Sequence, residues 1–199
     1  MANELDEQHP GGHRAILKER PVRLGKGGVD QNRPLEFMVS RQEHQPAARL
    51  APPGIGLPIG RIAACVQHLR ADGVTSVFTV GFCFGGRNSW LASAAGHDLA
   101  GAIGFYGRPG PANDGTPGPI QRAGEMRAPV LALQGGDDPG IPVEDSQAFD
   151  RALSEAGVEH EVVIYEGAPH SFFDRKYEEF AAASEDAWNR ALAFLARYA

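Results

Sequence analysis

From about residue 58 to its end, the 199-residue chain alternates short apolar runs with longer stretches of helical spacing, and that alternation limits what it can fold into. Residues 60–71 (GRIAACVQHLRA) carry apolar side chains along one helix face and stop at Asp72-Gly73. Val74–Val80 reads as a strand, Gly85–Ala95 as a helix and Ala102–Tyr106 as a second strand. Pro109–Gly118 is a loop saturated with turn residues. The period then repeats, with Pro129–Gln134 a strand, Val143–Ala156 a helix, His160–Tyr165 a strand and Tyr177–Tyr198 a long amphipathic closing helix. Four strands, each followed by a crossover long enough to make the next one parallel, predict an α/β fold: a mostly parallel sheet with flanking helices. Val74–Val80 is apolar with little alternation, the pattern of a strand buried on both faces.

Residues 1–57 follow a different pattern. KERPVRLGKGGVDQNRPLEFMVSRQEHQPAARLAPPGIG offers only short apolar pieces among Arg, Gln, Pro and Gly, and reads as an irregular or diverged segment without a strand. The chain therefore divides into 1–57 and a folded domain over 58–199, with the amino-terminal strands of the sheet missing or diverged. GKGG at 25–28 lacks the preceding strand and following Lys-Ser/Thr of a phosphate loop. Without a neighbour from 1–57, the strand at 74–80 would be an unpaired apolar edge, and self-association through that edge is expected.

A formal net charge of −6 argues against nucleic acid or an anionic membrane as partner, since either favours a basic face. No run of 18 apolar residues exists, and the start MANELDEQHPGGHR is polar and acidic where a secretory leader needs an apolar stretch, so the expected location is the cytoplasm. His9, His13, His44, His68, His97 and His160 lie outside any motif, and no metal-ligand spacing is found; neither metal nor cofactor is expected. Of the two cysteines, Cys65 sits in the helical run IAACVQHL and is expected as a small core residue.

Cys83 is different, because it lies in VGFCFGG, where a strand runs into G-x-C-x-G and directly into a helix. That is the form of a nucleophile elbow, a tight strained turn that lifts the nucleophile above the sheet edge. Glycine is expected at 81 and 85 because a Cβ at either would collide with the neighbouring strand or helix. The turn aims the N–H of Phe84 at a substrate oxygen, and the helix dipole favours thiolate over thiol. A cysteine so placed needs a base and a group to orient it, in the order nucleophile, acid, histidine. PVLALQ runs into Gly135-Gly-Asp-Asp-Pro-Gly-Ile-Pro142, placing Asp137 and Asp138 at a strand's carboxyl end, and HEVVIY runs into EGAPHSFF, which brings His170 to the end of the next. Spacing leaves the choice between the two aspartates open. Tyr106 and Arg108, after the strand AIGF, and Arg175, after His170, are candidate substrate-binding groups. Arg87, Trp90, Phe172 and Phe173 are read as packing or surface positions.

GFCFGG, GGDDPGIP and YEGAPHSFFDR together resemble the dienelactone hydrolase family of α/β-hydrolases over about residues 58–199. The resemblance implies hydrolysis of a small-molecule ester or lactone through a thioester, with Cys83 as nucleophile, His170 as base, Asp138 as the acid and the Phe84 N–H as one oxyanion donor. Members of the family open with a β-rich half whose loop gives a second oxyanion donor and a glutamate that contacts the resting cysteine. No residue among 1–57 matches either, and the resemblance implies that the strand at 74–80 is central in its sheet, between the strand at 102–106 and one from the amino-terminal half. A catalytically impaired relative and a redox-reactive thiol protein are the alternative readings.

Overall fold

The four expected strands are present and parallel. A computed structural model describes residues 14–15, 37–38 and 56–199. In the amino-terminal part, β1 (Arg14–Ala15) and β2 (Phe37–Met38) pair antiparallel, Arg14 opposite Met38 and Ala15 opposite Phe37. This two-residue ladder was not expected from the sequence. The rest of that half, including the strand expected beside the elbow strand, lies outside the described residues.

In the second part the order is α1 (Gly56–Ala71), β3 (Phe78–Phe82), α2 (Phe84–Ser93), β4 (Gly101–Phe105), β5 (Val130–Gly135), α3 (Val143–Glu155), β6 (His160–Tyr165) and α4 (Ala181–Tyr198). The sheet runs β3-β4-β5-β6 with every pair parallel, Phe78 in register with Gly101, Ala102 with Val130 and Val130 with His160. Because all four strands point the same way, their carboxyl ends share one edge, and the loops of the candidate site emerge there.

Helix α1 begins at Gly56, earlier than residue 60, and α2 ends at Ser93, short of Ala95; two further differences from the sequence reading have a visible physical cause. The elbow strand begins at Phe78 instead of Val74, because Val74 completes the end of α1: Gly73 takes φ +84, its N–H donates to Arg70 O, and the Val74 N–H donates to Leu69 O. This is a Schellman cap, and it takes the first residues of the apolar run out of the sheet. The closing helix starts at Ala181 instead of Tyr177, since Phe180, at φ −115 and ψ 41, departs from helical geometry.

β4 is buried along its whole length, as a strand covered on both faces must be. On one face Trp90 of α2 packs with Ala102, Val130 and Ala132 and meets Phe149 of α3 with ring centroids 5.0 Å apart. The indole lies so close to β4 that a Cβ at Gly104 would stand 2.4 Å from it. On the other face Phe194 of α4 lies over Gly101, where a Cβ would come within 2.5 Å of its ring. α2 is buried from Gly86 through Ser93, and its polar side chains are paired with the sheet and its loops: Ser89 Oγ donates to Thr79 O (3.0 Å), Trp90 Nε1 to Leu131 O (3.1 Å) and Ser93 Oγ to Ala128 O (3.2 Å). These bonds seat the elbow helix against the sheet and pair three of its buried donors.

On β3, Val80 and Phe82 are exposed, as is Phe84 just beyond. The far side of this strand, and the self-association expected through it, concern a neighbour outside the described residues. Cys65 is half-buried on α1, short of the core position expected for it. No described helix is long and apolar enough to cross a membrane.

Candidate active site

The turn between β3 and α2 holds Cys83 at φ 55 and ψ −117, a left-handed conformation that a residue with a Cβ adopts only under constraint. The constraint is visible in the backbone: the Cys83 N–H donates to Phe105 O on β4 (2.9 Å), and Cys83 O accepts from the Arg87 N–H (3.2 Å). A Cβ at Gly81 would lie 2.0 Å from Gly85 O, so glycine is obligatory there. Residue 85 is a correction to the sequence reading, since a Cβ there meets nothing within 4 Å. The second tight glycine is Gly86, whose Cβ would stand 2.7 Å from Phe105 O. The Cys83 side chain is exposed, and Phe84 opens α2, where backbone N–H groups have no acceptor within the helix.

The loop after β5 carries the two aspartates. Asp138 is buried; its Oδ1 accepts from the Gly140 N–H (2.8 Å) and its Oδ2 lies 2.5 Å from His170 Nδ1. Asp137 is exposed and contributes its backbone instead, its N–H donating to Ala168 O (3.0 Å). Together with the Gly136 N–H to Tyr165 O (2.8 Å), that bond ties the aspartate loop to the histidine loop. The glycine pair permits this approach, as a Cβ at Gly135 would stand 2.5 Å from Ala168 O and one at Gly136 2.9 Å from Tyr165 O. Of the two adjacent aspartates, it is therefore Asp138 that meets His170. A carboxylate can only accept, so the hydrogen bond assigns the proton to Nδ1 and leaves Nε2 free to take one. Ser171, directly after the histidine, is held at φ 61.

Tyr106 follows β4 at φ 37 and is 1% exposed. Its ring meets the His170 ring edge-on at 5.0 Å and packs against Phe172 at 5.7 Å. Arg108 is exposed and bonds within its own loop, Nη1 to Asn113 Oδ1 (3.0 Å). Arg175 is also exposed and belongs to the turn after His170, its N–H donating to Ser171 O (3.2 Å). Neither arginine is drawn into contact with Asp138 or His170, whereas Tyr106 is. Three of the four described non-glycine residues with positive φ, namely Cys83, Tyr106 and Ser171, gather at this edge.

Arg87 carries more than its sequence position suggested. It is buried on the first turns of α2, and its Nη1 donates to Arg108 O (2.9 Å) and to Gly110 O, so the helix that follows Cys83 holds the loop after Tyr106. Burial, and then the charge of Arg108, lower its pKa, with Asp114 opposing. Gln134 Nε2 donates to Gly107 O (3.0 Å) and fixes the same loop from β5. The spacing of Arg87 four residues after Cys83, on the helix face toward β4, was the available signal for this role.

The sequence pattern of the dienelactone hydrolase family matches residues 44–199. Among relatives, a protein of Escherichia coli K12 named as a carboxymethylenebutenolidase is 35% identical over 151 residues, which is 71% of this chain and 56% of that one. A Salmonella typhimurium protein of the same name is 37% identical over 121 residues, 59% of this chain and 45% of that one. The chain thus spans about half the length of these curated relatives. Among solved structures, a dienelactone hydrolase from Klebsiella pneumoniae superposes with a TM-score of 0.64 at 28% identity, covering 70% of this chain and 60% of that one.

Proposed function

The chain belongs to the dienelactone hydrolase family, and from that premise we propose that it hydrolyses a small ester or lactone, with Cys83 as nucleophile, His170 as base and Asp138 as the carboxylate that holds the imidazole. The observation that carries this reading is the 2.5 Å hydrogen bond between buried Asp138 and His170 Nδ1. It joins groups 32 residues apart, at the same sheet edge as the elbow that bears Cys83.

In the first half of the reaction the Cys83 thiol gives its proton to His170 Nε2 and its sulfur attacks the carbonyl carbon. The C–S bond forms as the carbonyl electron pair moves to oxygen, where the Phe84 N–H donates to it. Collapse of that intermediate expels the alkoxide, which takes the proton from Nε2; from a lactone, the new alcohol stays tethered to the acyl group. Water then loses a proton to Nε2 and attacks the thioester carbon; the C–S bond breaks as the tetrahedral intermediate collapses, and the departing sulfur takes the proton back from Nε2, restoring the thiol and the neutral imidazole. Asp138 keeps Nδ1 protonated and stabilises the charged imidazole formed in both halves. The net charge of −6 fits a small substrate better than a polyanion.

Hydrolysis of a short aryl ester tests the assignment. Cys83→Ala should be inactive, Cys65→Ala near normal, and one equivalent of a thiol alkylator should abolish activity. Cys83→Ser should lose roughly 10²-fold or more, since the site is tuned for a thiol. Full activity in Cys83→Ala overturns the reading.

A further inference from the structure

A run of aromatic rings leads outward from the carboxyl edge of the sheet. Phe82 is the last residue of β3 and the chain neighbour of Cys83, and Phe173 follows His170 in the loop after β6. Their rings stack with centroids 5.8 Å apart and 16° between the planes. Phe173 in turn meets Tyr177 edge-on at 6.2 Å and Trp188 of α4 at 6.1 Å. Tyr106 joins this cluster to the candidate base, its ring 6.2 Å from that of Phe82 and 5.0 Å from that of His170. Packing accounts for the inner side only, where buried Phe105 backs Phe82 at 4.8 Å and Phe173 at 4.6 Å. The outer rings stay in water, Tyr177 being 47% and Trp188 38% exposed. Among the described residues, every large hydrophobic side chain so exposed lies on β3, at the elbow or in this cluster. Surfaces scatter such side chains singly, and a cluster of them marks a place where something binds.

We propose that Phe82, Phe173, Tyr177 and Trp188 form a subsite for an uncharged aromatic ring of the ester, so that the chain prefers aryl-bearing substrates to aliphatic ones of equal size. The proposal rests on the reading of Cys83 as the nucleophile, because that is what brings the substrate to this edge. Phe82 is bonded to Cys83 and Phe173 belongs to the histidine loop, so a group held against these rings lies beside the reacting bond. A ring placed against Tyr177 and Trp188 gains stacked and edge-on contacts that an alkyl group of the same area lacks. Charge favours the same class: Asp174, Glu178, Glu179 and Glu185 are exposed on the segments that carry these rings, against Arg175 and Lys176, and an acidic surround disfavours a ring that bears a carboxylate. Phe105 and Tyr106, buried behind the inner rings, hold the subsite in place before a ligand arrives.

Trp188 supplies its own readout. The chain has two tryptophans and Trp90 is buried in the core, so an emission change on adding an aromatic ligand reports Trp188. Titrating the full chain with benzylacetone, a ketone with no leaving group to lose, should quench the emission saturably. Its ring-hydrogenated cyclohexyl counterpart should quench little, and Trp188→Phe should abolish the response. In steady-state hydrolysis Trp188→Leu, which keeps an apolar side chain at the surface, and Tyr177→Ala should each raise KM for methyl hydrocinnamate by roughly 3–10-fold with kcat held, and leave the matching cyclohexyl ester within about 2-fold. An absence of saturable quenching in the wild type, or an equal loss with the phenyl and cyclohexyl esters, overturns the proposal. A dimer that Trp188→Leu dissociates in analytical ultracentrifugation also overturns it, since the rings then belong to an interface with a second copy. The ketone titration needs no turnover: wild-type hydrolysis by Cys83→Ala would overturn the nucleophile assignment alone, and the quenching and the phenyl-to-cyclohexyl comparison would still decide the subsite.

Discussion

Gly81→Ala separates the geometry of the elbow from its chemistry. The added methyl carbon would stand 2.0 Å from Gly85 O, 2.2 Å from Gly85 C and 2.8 Å from Gly86 N. All three are backbone atoms at the start of α2, so no side chain can swing aside. Reaching an ordinary contact at 3.4 Å requires β3 and α2 to part by about 1.4 Å. Overpacking costs roughly 1–3 kcal/mol where side chains can yield, and a clash between backbones belongs at the upper end of that range. For a protein of this size, about 3 kcal/mol lowers the melting temperature by roughly 6–12 °C. Because the same displacement moves Cys83, and misplacing a reacting group by about 1 Å costs around 10²-fold, activity on an aryl ester should fall by at least that factor. Gly85→Ala is the matched control. Its methyl meets nothing within 4 Å and replaces a helical glycine, so it should melt at or above the wild-type temperature, by up to about 1 kcal/mol of added stability. Thermal unfolding followed by far-ultraviolet circular dichroism, with initial rates on the same preparations, reads both effects. A Gly81→Ala protein that melts like wild type, or a Gly85→Ala protein that loses as much as Gly81→Ala, would refute the reasoning.

Two further outcomes follow from the loops around the elbow. Asp138→Asn places an amide opposite Nδ1 and should lower kcat by roughly 10²–10⁴-fold with the fold intact, whereas exposed Asp137→Asn, whose role is played by its backbone, should stay within a few-fold of wild type in steady-state kinetics. Arg87→Met keeps the buried stem but frees the carbonyls of Arg108 and Gly110; urea unfolding should show a loss of about 1–3 kcal/mol with a raised KM, and Arg87→Lys should recover only part of it, because an ammonium cannot reproduce the planar fork.

The fold class was legible because its signal is local. Each of β4, β5 and β6 is an apolar run bounded by turn residues, and their observed limits differ from the sequence reading by no more than one residue. Where the reading slipped, a local rule met a competing one: Val74 is apolar and fits a strand, but its N–H is taken by the cap of α1. The order Cys83, aspartate, His170 and their places at strand ends were equally plain, since each follows a strand and lies beside glycine.

What the chain's own pattern left open was every choice between near neighbours. Asp137 and Asp138 are adjacent and chemically identical, and spacing alone could not separate them. They differ only because the loop buries one against a histidine 32 residues away and turns the other to solvent. Gly85 and Gly86 are likewise adjacent, yet only the second touches β4, and that contact depends on how α2 lies across the sheet. Arg87 reads as a surface position until the loop 21–23 residues further on supplies its acceptors. Tyr106 follows a strand like many tyrosines, but its buried place against His170 and Phe172 exists only once segments far apart in sequence have packed around it. Periodicity reports which residues face a core, because that depends on neighbours within a few positions. Which donor meets which acceptor depends on segments far apart in sequence, and is decided only when the sheet brings their ends to one edge.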